Sequence, residues 1–289
     1  MGRINGEAAI KRLEKLYNFR TAKALGQNFL TDAETLEAIT AASMAGPKDL
    51  VIEIGPGLGV LTSCLAEAAG KVVAVEIDEK LIPILHDTLW DYPNVKIINQ
   101  DILKVDLKKL IEEESIFENG EKAEHVMVVG NLPYYITTPI ILGLLEAELP
   151  IDSITVMVQK EVADRMVAEP ASKDYSVLTL SLNYYCKAEY IKFVGKENFL
   201  PQPKVDSAVV KLEVLPECPV EIKSKETYFK LVKAGFSQRR KTLSNSLVSA
   251  GIDKDKVSSS LRAAGIDPKR RAETLSLEEF AKLSNIVSD

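Results

Sequence analysis

Five short runs constrain this chain more than any other feature: LVIEI (50–54), KVVAVEI (71–77), NVKIINQ (94–100), HVMVVG (125–130) and DSITVMVQ (152–159). They are rich in β-branched residues and nearly all apolar, as strands buried on both faces must be. Segments of helical periodicity separate them, at 58–69, 78–91, 106–117, 136–147 and 160–168. Strand then helix, repeated, predicts an α/β fold with a mainly parallel sheet and helices on both sides.

The ends of the chain depart from this rhythm. Residues 8–19 put Ile10, Leu13, Leu16 and Tyr17 on one helical face, and TDAETLEAITAASMAG predicts a helix capped by Thr31 or Asp32 and stopped at Gly46. After residue 170, SVLTLSLNYY fits helix or strand, AEYIKFV reads as a strand, and SAVVKLEVL (207–215) is a clear one after the proline-rich LPQPKVD. Beyond 216 the pattern is of short polar helices at 225–236, 242–250, 255–264 and 276–286, the last opened by a Ser276/Glu279 capping box. Two domains are expected, 1–216 and a smaller all-helical one at 217–289.

Composition excludes several classes. A net charge of −6 and a pI near 5.3 argue against coating nucleic acid by charge alone, so any such contact must be local. Local basic stretches exist: residues 223–245 hold seven Lys or Arg against one Glu, and residues 1–31 hold six against two acids. Taken by themselves, such runs read as solvated helix faces. Three well-separated cysteines without a C-x-x-C suggest neither disulfides nor zinc and fit a reducing compartment. The only histidines, His86 and His125, are far apart, which disfavours a His triad or metal site. No stretch is long and apolar enough for a membrane helix, and a cytoplasmic location is expected.

EIGPGLG (53–59) joins the first of the five strands to its helix, where a glycine turn lets a ligand approach the backbone. Gly55, Gly57 and Gly59 give G-x-G-x-G, and Val60 stands where the dinucleotide fingerprint has its third glycine, so NAD loses ground. Glu76, 21 residues beyond Gly55 at the next strand end, is placed to accept hydrogen bonds from ribose hydroxyls. Asp101 ends the third strand, where it either accepts from an adenine amino group or caps a turn. Three such features on successive strand ends fit S-adenosylmethionine, which carries adenosine but no phosphate.

GNLPYYITTP (130–139) follows the fourth strand at the same edge. An exocyclic amine such as adenine N6 attacks poorly because its lone pair is delocalised into the ring. The Asn131 side-chain oxygen and a backbone carbonyl, of Leu132 or of Pro133, could accept the two amine protons and aim the lone pair at a methyl donor. Pro133 fixes the backbone there, and Tyr134 could stack on the base, an interaction of about 1–3 kcal/mol. Tyr135 acquires no role.

With these residues in place, the sequence closely resembles the ribosomal RNA adenine N6-dimethyltransferases, specifically the bacterial enzymes that dimethylate two adjacent adenosines near the 3′ end of 16S rRNA. KALGQNFL (23–30), VIEIGPGLGVLT, VEID (75–78), QDIL (100–103), NLPYYI, QKEVADRM (159–166), FLPQPKVDSAVVKL (199–212), FSQRRKTL (236–243) and DPKRRAETLSLEEFAKL (267–283) carry the resemblance over nearly the whole chain. It implies a Rossmann-like S-adenosylmethionine-dependent methyltransferase sheet. Gln27, Asn28 and Leu30 would close over the methionine end of the cofactor, while Gly55, Gly57, Glu76, Ile77, Asp101, Ile102 and Asn131 would hold the rest. Phe199 would stack on the adenine opposite Tyr134, and Arg239, Arg240 and Lys241 would contact rRNA. The implied substrate is 16S rRNA in the immature small subunit, the protein acting as a monomer without metal. The rival readings are a macrolide-resistance methyltransferase acting on 23S rRNA, from another class a small-subunit assembly factor, and, third, a NAD-dependent oxidoreductase.

Overall fold

The computed structural model describes residues 6–19, 21–22, 25–238 and 240–288. Helix α1 (Gly6–Leu16), strand β1 (Phe29–Leu30) and helix α2 (Ala33–Ser43) lead into the alternation. There follow β2 (Leu50–Ile54), α3 (Val60–Ala68), β3 (Lys71–Glu76), α4 (Ile82–Thr88), β4 (Val95–Asn99), α5 (Leu107–Glu114), β5 (Val126–Asn131), α6 (Thr137–Glu146), β6 (Ser153–Gln159) and α7 (Lys160–Met166). Then come α8 (Val177–Tyr185), β7 (Cys186–Val194), β8 (Phe199–Leu200), β9 (Ser207–Val214), α9 (Lys225–Phe236), α10 (Leu243–Ser249), α11 (Lys254–Ala264) and α12 (Leu277–Ser288).

A seven-stranded sheet runs β4-β3-β2-β5-β6-β9-β7. The five strands expected from the apolar runs pair in parallel, and β9 joins β6 antiparallel. All five residues of β2 are buried, the consequence of covering both faces. Helices start where the chain offers a side-chain acceptor: Asp32, rather than Thr31, caps α2 through the Thr35 N–H at 3.0 Å, and Asp106 caps α5 through the Lys109 N–H at 3.0 Å. SVLTLSLNYY is helical up to Tyr185, and the chain turns to strand at Cys186.

The chain divides into two compact units, one of residues up to Ala163 with Glu189–Val214, the other of Asp164–Ala188 with residues from Leu215 on. The division expected at 216 differs from this, because Asp164–Ala188 belongs with the C-terminal helices. The reason lies in the core: Tyr175 and Leu180 pack in one buried cluster with Tyr228, Leu231 and Phe280. In that second unit the Ser276/Glu279 box forms as expected, with the Ser276 N–H donating to Glu279 Oε2 at 3.0 Å and the Glu279 N–H to Ser276 Oγ at 3.3 Å. Among the described residues no helix is long and apolar enough to cross a membrane, and no cluster of three or more His, Cys, Asp or Glu could hold a metal ion.

Candidate active site

The first unit carries an open cleft of about 920 Å³, counting its mouth, at the carboxyl ends of β2, β3 and β5. This is the edge at which open α/β sheets take ligands, because the strand-to-helix turns leave backbone N–H groups exposed there. Gln27, Asn28, Leu30, Gly55, Gly57, Glu76, Ile77, Asn131, Leu132, Pro133 and Tyr134 all line it. Distant stretches of sequence therefore meet at one place.

The glycine loop is a nest bound to the acid on the next strand. Gly55, Gly57 and Gly59 have φ of +71°, +60° and +82°, values that L side chains rarely adopt. At Gly57 a Cβ would also stand 3.1 Å from the Phe29 ring. The Gly57 N–H donates to Glu76 Oε2 at 3.1 Å, and the Asp78 N–H to Glu76 Oε1 at 2.8 Å. Burial pushes the Glu76 carboxyl up from its ordinary value, and these backbone donors work against that. Each Glu76 oxygen keeps lone-pair capacity for a hydroxyl ligand.

Glu53 is a site residue that the sequence patterns did not single out. It lines the cleft, is fully buried, and its Oε2 has no hydrogen-bond partner among the described residues. Burial pushes its carboxyl up to about 8, so with no cation beside it the group is protonated at neutral pH. The signal was present: Glu53 is the one charge in a strand apolar on both faces. Phe29, Leu36, Leu58, Leu61 and Leu81, which make the apolar wall, carried no sequence mark distinguishing them from core.

The segment before α2 covers one side of the cleft. Gln27 uses both ends of its amide internally, accepting from the Ala22 N–H at 2.7 Å and donating to Asp78 Oδ2 at 2.8 Å. It fastens the segment to the end of β3. Asn28 donates from Nδ2 to the Gly26 carbonyl at 3.0 Å. A two-residue antiparallel clip, Phe29 opposite Leu200 and Leu30 opposite Phe199, holds the segment from the other side. Membership of that clip buries Phe199 to 4% exposure among Leu30, Leu36 and Val209. Phe199, expected to stack on the base, is not itself part of the cleft lining but stands opposite Leu30, which is.

Asn131 ends β5, and its Nδ2 donates to the Asn28 carbonyl at 3.1 Å. With the NH₂ end so fixed, the Oδ1 is the end left to accept from a ligand. Partners also narrow the choice between the two carbonyls: that of Pro133 already accepts from the Ile136 N–H at 3.2 Å and Thr137 Oγ1 at 3.1 Å. That leaves the carbonyl of Leu132, whose own N–H donates to the Met157 carbonyl at 3.2 Å. Tyr134 is half-buried, with its hydroxyl 2.7 Å from Ser207 Oγ, while Tyr135 is 59% exposed.

The remaining expected site residues among those described are not part of the cleft lining. Asp101 caps a short 3₁₀ turn, accepting from the Leu103 N–H at 3.1 Å, and neither it nor Ile102 lines the cleft. Arg240 and Lys241 are exposed residues of the second unit, and Arg239 lies outside the described residues.

The donor set suits S-adenosylmethionine. Among the described residues that line the cleft none is Lys, Arg or His, so nothing there matches a phosphate. A carboxyl with acceptor capacity for hydroxyls (Glu76), a buried carboxyl with an unpartnered oxygen that an ammonium would satisfy (Glu53) and an apolar wall are all present.

Comparison with known proteins bears on the same residues. The family model described as ribosomal RNA adenine dimethylase matches residues 18–289. The chain is 47% identical over 289 residues to the ribosomal RNA small subunit methyltransferase A of Clostridioides difficile, covering all of this chain and 98% of that protein. It is 50% identical over 281 residues to the protein of the same name from Bacillus pumilus, covering 96% and 94%. Among solved structures it resembles the 23S rRNA methyltransferase ErmE, with TM-score 0.69 and 29% identity over 91% of this chain and 100% of that one. It also resembles a dimethyladenosine transferase from Plasmodium falciparum, with TM-score 0.71 and 25% identity over 88% and 95%. A match to the adenine dimethylase model over residues 18–289, on a chain whose strand ends assemble an adenosine-type cleft beside Asn131, places this protein in the ribosomal RNA adenine dimethylase family, whose methyl donor is S-adenosylmethionine.

Proposed function

We propose that this protein dimethylates N6 of two adjacent adenosines near the 3′ end of small-subunit rRNA, within immature small subunits in the cytoplasm. It does so as a monomer and without a metal ion. The observation that carries the reading is Asn131, with its Nδ2 engaged by the Asn28 carbonyl and its Oδ1 left as acceptor beside the Leu132 carbonyl. The small subunit is favoured over the large because relatives at 47–50% identity bear the small-subunit name, whereas the 23S methyltransferase is 29% identical.

S-adenosylmethionine, when bound, supplies an electrophilic methyl group. Everything else falls to the chain. Glu76 accepts from the ribose, and the glycine loop admits the ligand to the backbone. Asn131 Oδ1 and the Leu132 carbonyl accept the two protons of the adenine amine, which turns its lone pair out of conjugation and into line. Tyr134 supports the face of the base. The methylated amine is cationic and acidic, so it gives up its proton to water without a charged base. The second methylation needs one acceptor fewer, because one amine proton has by then been replaced.

Asn131→Ala should lower methyl transfer to unmodified small subunits by about 10²-fold or more, in the range seen when an orienting hydrogen bond to the transition state is removed, while particles still bind. Measured with labelled methyl groups, wild-type turnover in this variant would overturn the mechanism.

A further inference from the structure

We propose that Ser207 is a positioning residue for methyl transfer, anchoring Tyr134 so that its ring stands ready to receive the target adenine. The inference rests on the reading of Tyr134 as the base-stacking residue. Tyr134 lines the cleft; Ser207 does not, and stands behind it with 0% exposure at the first position of β9. Their hydroxyl oxygens are 2.7 Å apart.

The sheet explains how they meet. Asn131 on β5 pairs with Met157 on β6, and Met157 pairs with Val209 on β9. Two residues further along β6, Gln159 pairs with Ser207, beyond the point where β5 has ended. The chain leaving β5 therefore passes over the end of β6, and Tyr134 reaches the start of β9. Ser207 cannot drift to meet it. The preceding residue is held on two sides, Asp206 accepting from the Lys160 N–H at its carbonyl (2.9 Å) and from the Lys196 N–H at Oδ1 (3.1 Å). Burial pushes the phenol up and the nearby Asp206 adds to this, while the hydrogen bond to Ser207 works the other way; the net direction is upward, so the phenol stays neutral near pH 7.

The consequence is pre-organisation. A half-buried tyrosine at a cleft mouth has rotamers to lose when a base docks, and a ring already fixed through its hydroxyl loses fewer. Tyr134 is thus held at two points, by Pro133 in the backbone and by Ser207 at the tip. The aromatic ring supplies contact and the hydroxyl supplies aim.

The test uses the full-length enzyme, unmodified small subunits and four variants: Ser207→Ala, Tyr134→Phe, the double variant and Tyr134→Ala. S-adenosylmethionine affinity, measured by calorimetry on each, confirms an intact cleft. Ser207→Ala and Tyr134→Phe should each lower kcat/KM roughly three- to tenfold, the loss of one hydrogen bond's aim. The double variant should be no worse than either single one, because both remove the same bond. Multiplying losses, or a wild-type rate in Tyr134→Phe, would overturn the anchor. Tyr134→Phe cuts the bond from the cleft side, so the outcome does not depend on whether Ser207→Ala folds. Tyr134→Ala separates the two readings: if it is inactive while both single variants match wild type, the anchor fails and the stacking role stands. A wild-type rate in Tyr134→Ala would remove the stacking role itself.

Discussion

A carboxyl group buried at a strand end beside a ligand cleft must either be neutral or meet a cation, and the chain by itself holds Glu53 to the first choice. Its folded value of about 8 lies above the ordinary 4.5, so between these values the folded chain keeps a proton that the unfolded chain has lost. Stability attributable to this group therefore falls as pH rises through that window, and Glu53→Gln should flatten the pH dependence of the thermal midpoint there. An ammonium-bearing ligand reverses the preference for the neutral form. Binding of S-adenosylmethionine near pH 7 should then release a proton, seen in calorimetry as a heat that varies with the ionisation enthalpy of the buffer. A heat independent of buffer would contradict this assignment. At the same scale, Asn131, Pro133 and Tyr134 could be marked from the sequence and do line the cleft; Ser207 could not, since a serine opening a strand carries no sign of which hydroxyl it will face.

Whole elements were more legible than their contacts. The five apolar runs became β2 to β6 to within a residue or two at each end; burial on both faces, expected of all five, holds for β2, β3, β5 and β6, whereas β4 lies at the sheet's edge and has no fully buried residue. The clip of β1 and β8 was invisible, as two residues are too few to show a period, and the position of Phe199 was hidden with it. That clip brings Phe29 against the glycine loop, which ties the loop's composition to packing as well as to ligand access. In Gly57→Ala the left-handed conformation costs about 1–2 kcal/mol, and the new methyl presses on a ring 3.1 Å away. The variant should bind S-adenosylmethionine about tenfold more weakly or worse and melt a few degrees lower. Unchanged affinity, measured by titration, would show that the nest is not needed.

Across the whole molecule, a chain with a net charge of −6 must meet RNA through chosen side chains rather than a general field. The second unit narrows the choice. Arg270 is spent on a two-pronged ion pair with Glu279, whose nitrogen–oxygen distances are 2.5 and 2.8 Å, and on the Thr274 carbonyl at 2.6 Å. The clustered basic residues of DPKRR are therefore not all available to phosphate, a distinction that charge counting cannot make. The sheet, the cofactor and the family could be read from sequence, while the return of Asp164–Ala188 to the helical unit emerged only from its shared core. Which base the cleft serves is read most directly from its product. Mass mapping of methylated bases, after reaction of the purified protein with unmodified small subunits and, separately, unmodified large subunits, answers this without intermediaries. The proposed function requires N6,N6-dimethyladenosine at two adjacent positions near the 3′ end of the small-subunit rRNA and none in the large subunit. Methylation confined to a large-subunit adenine would contradict it.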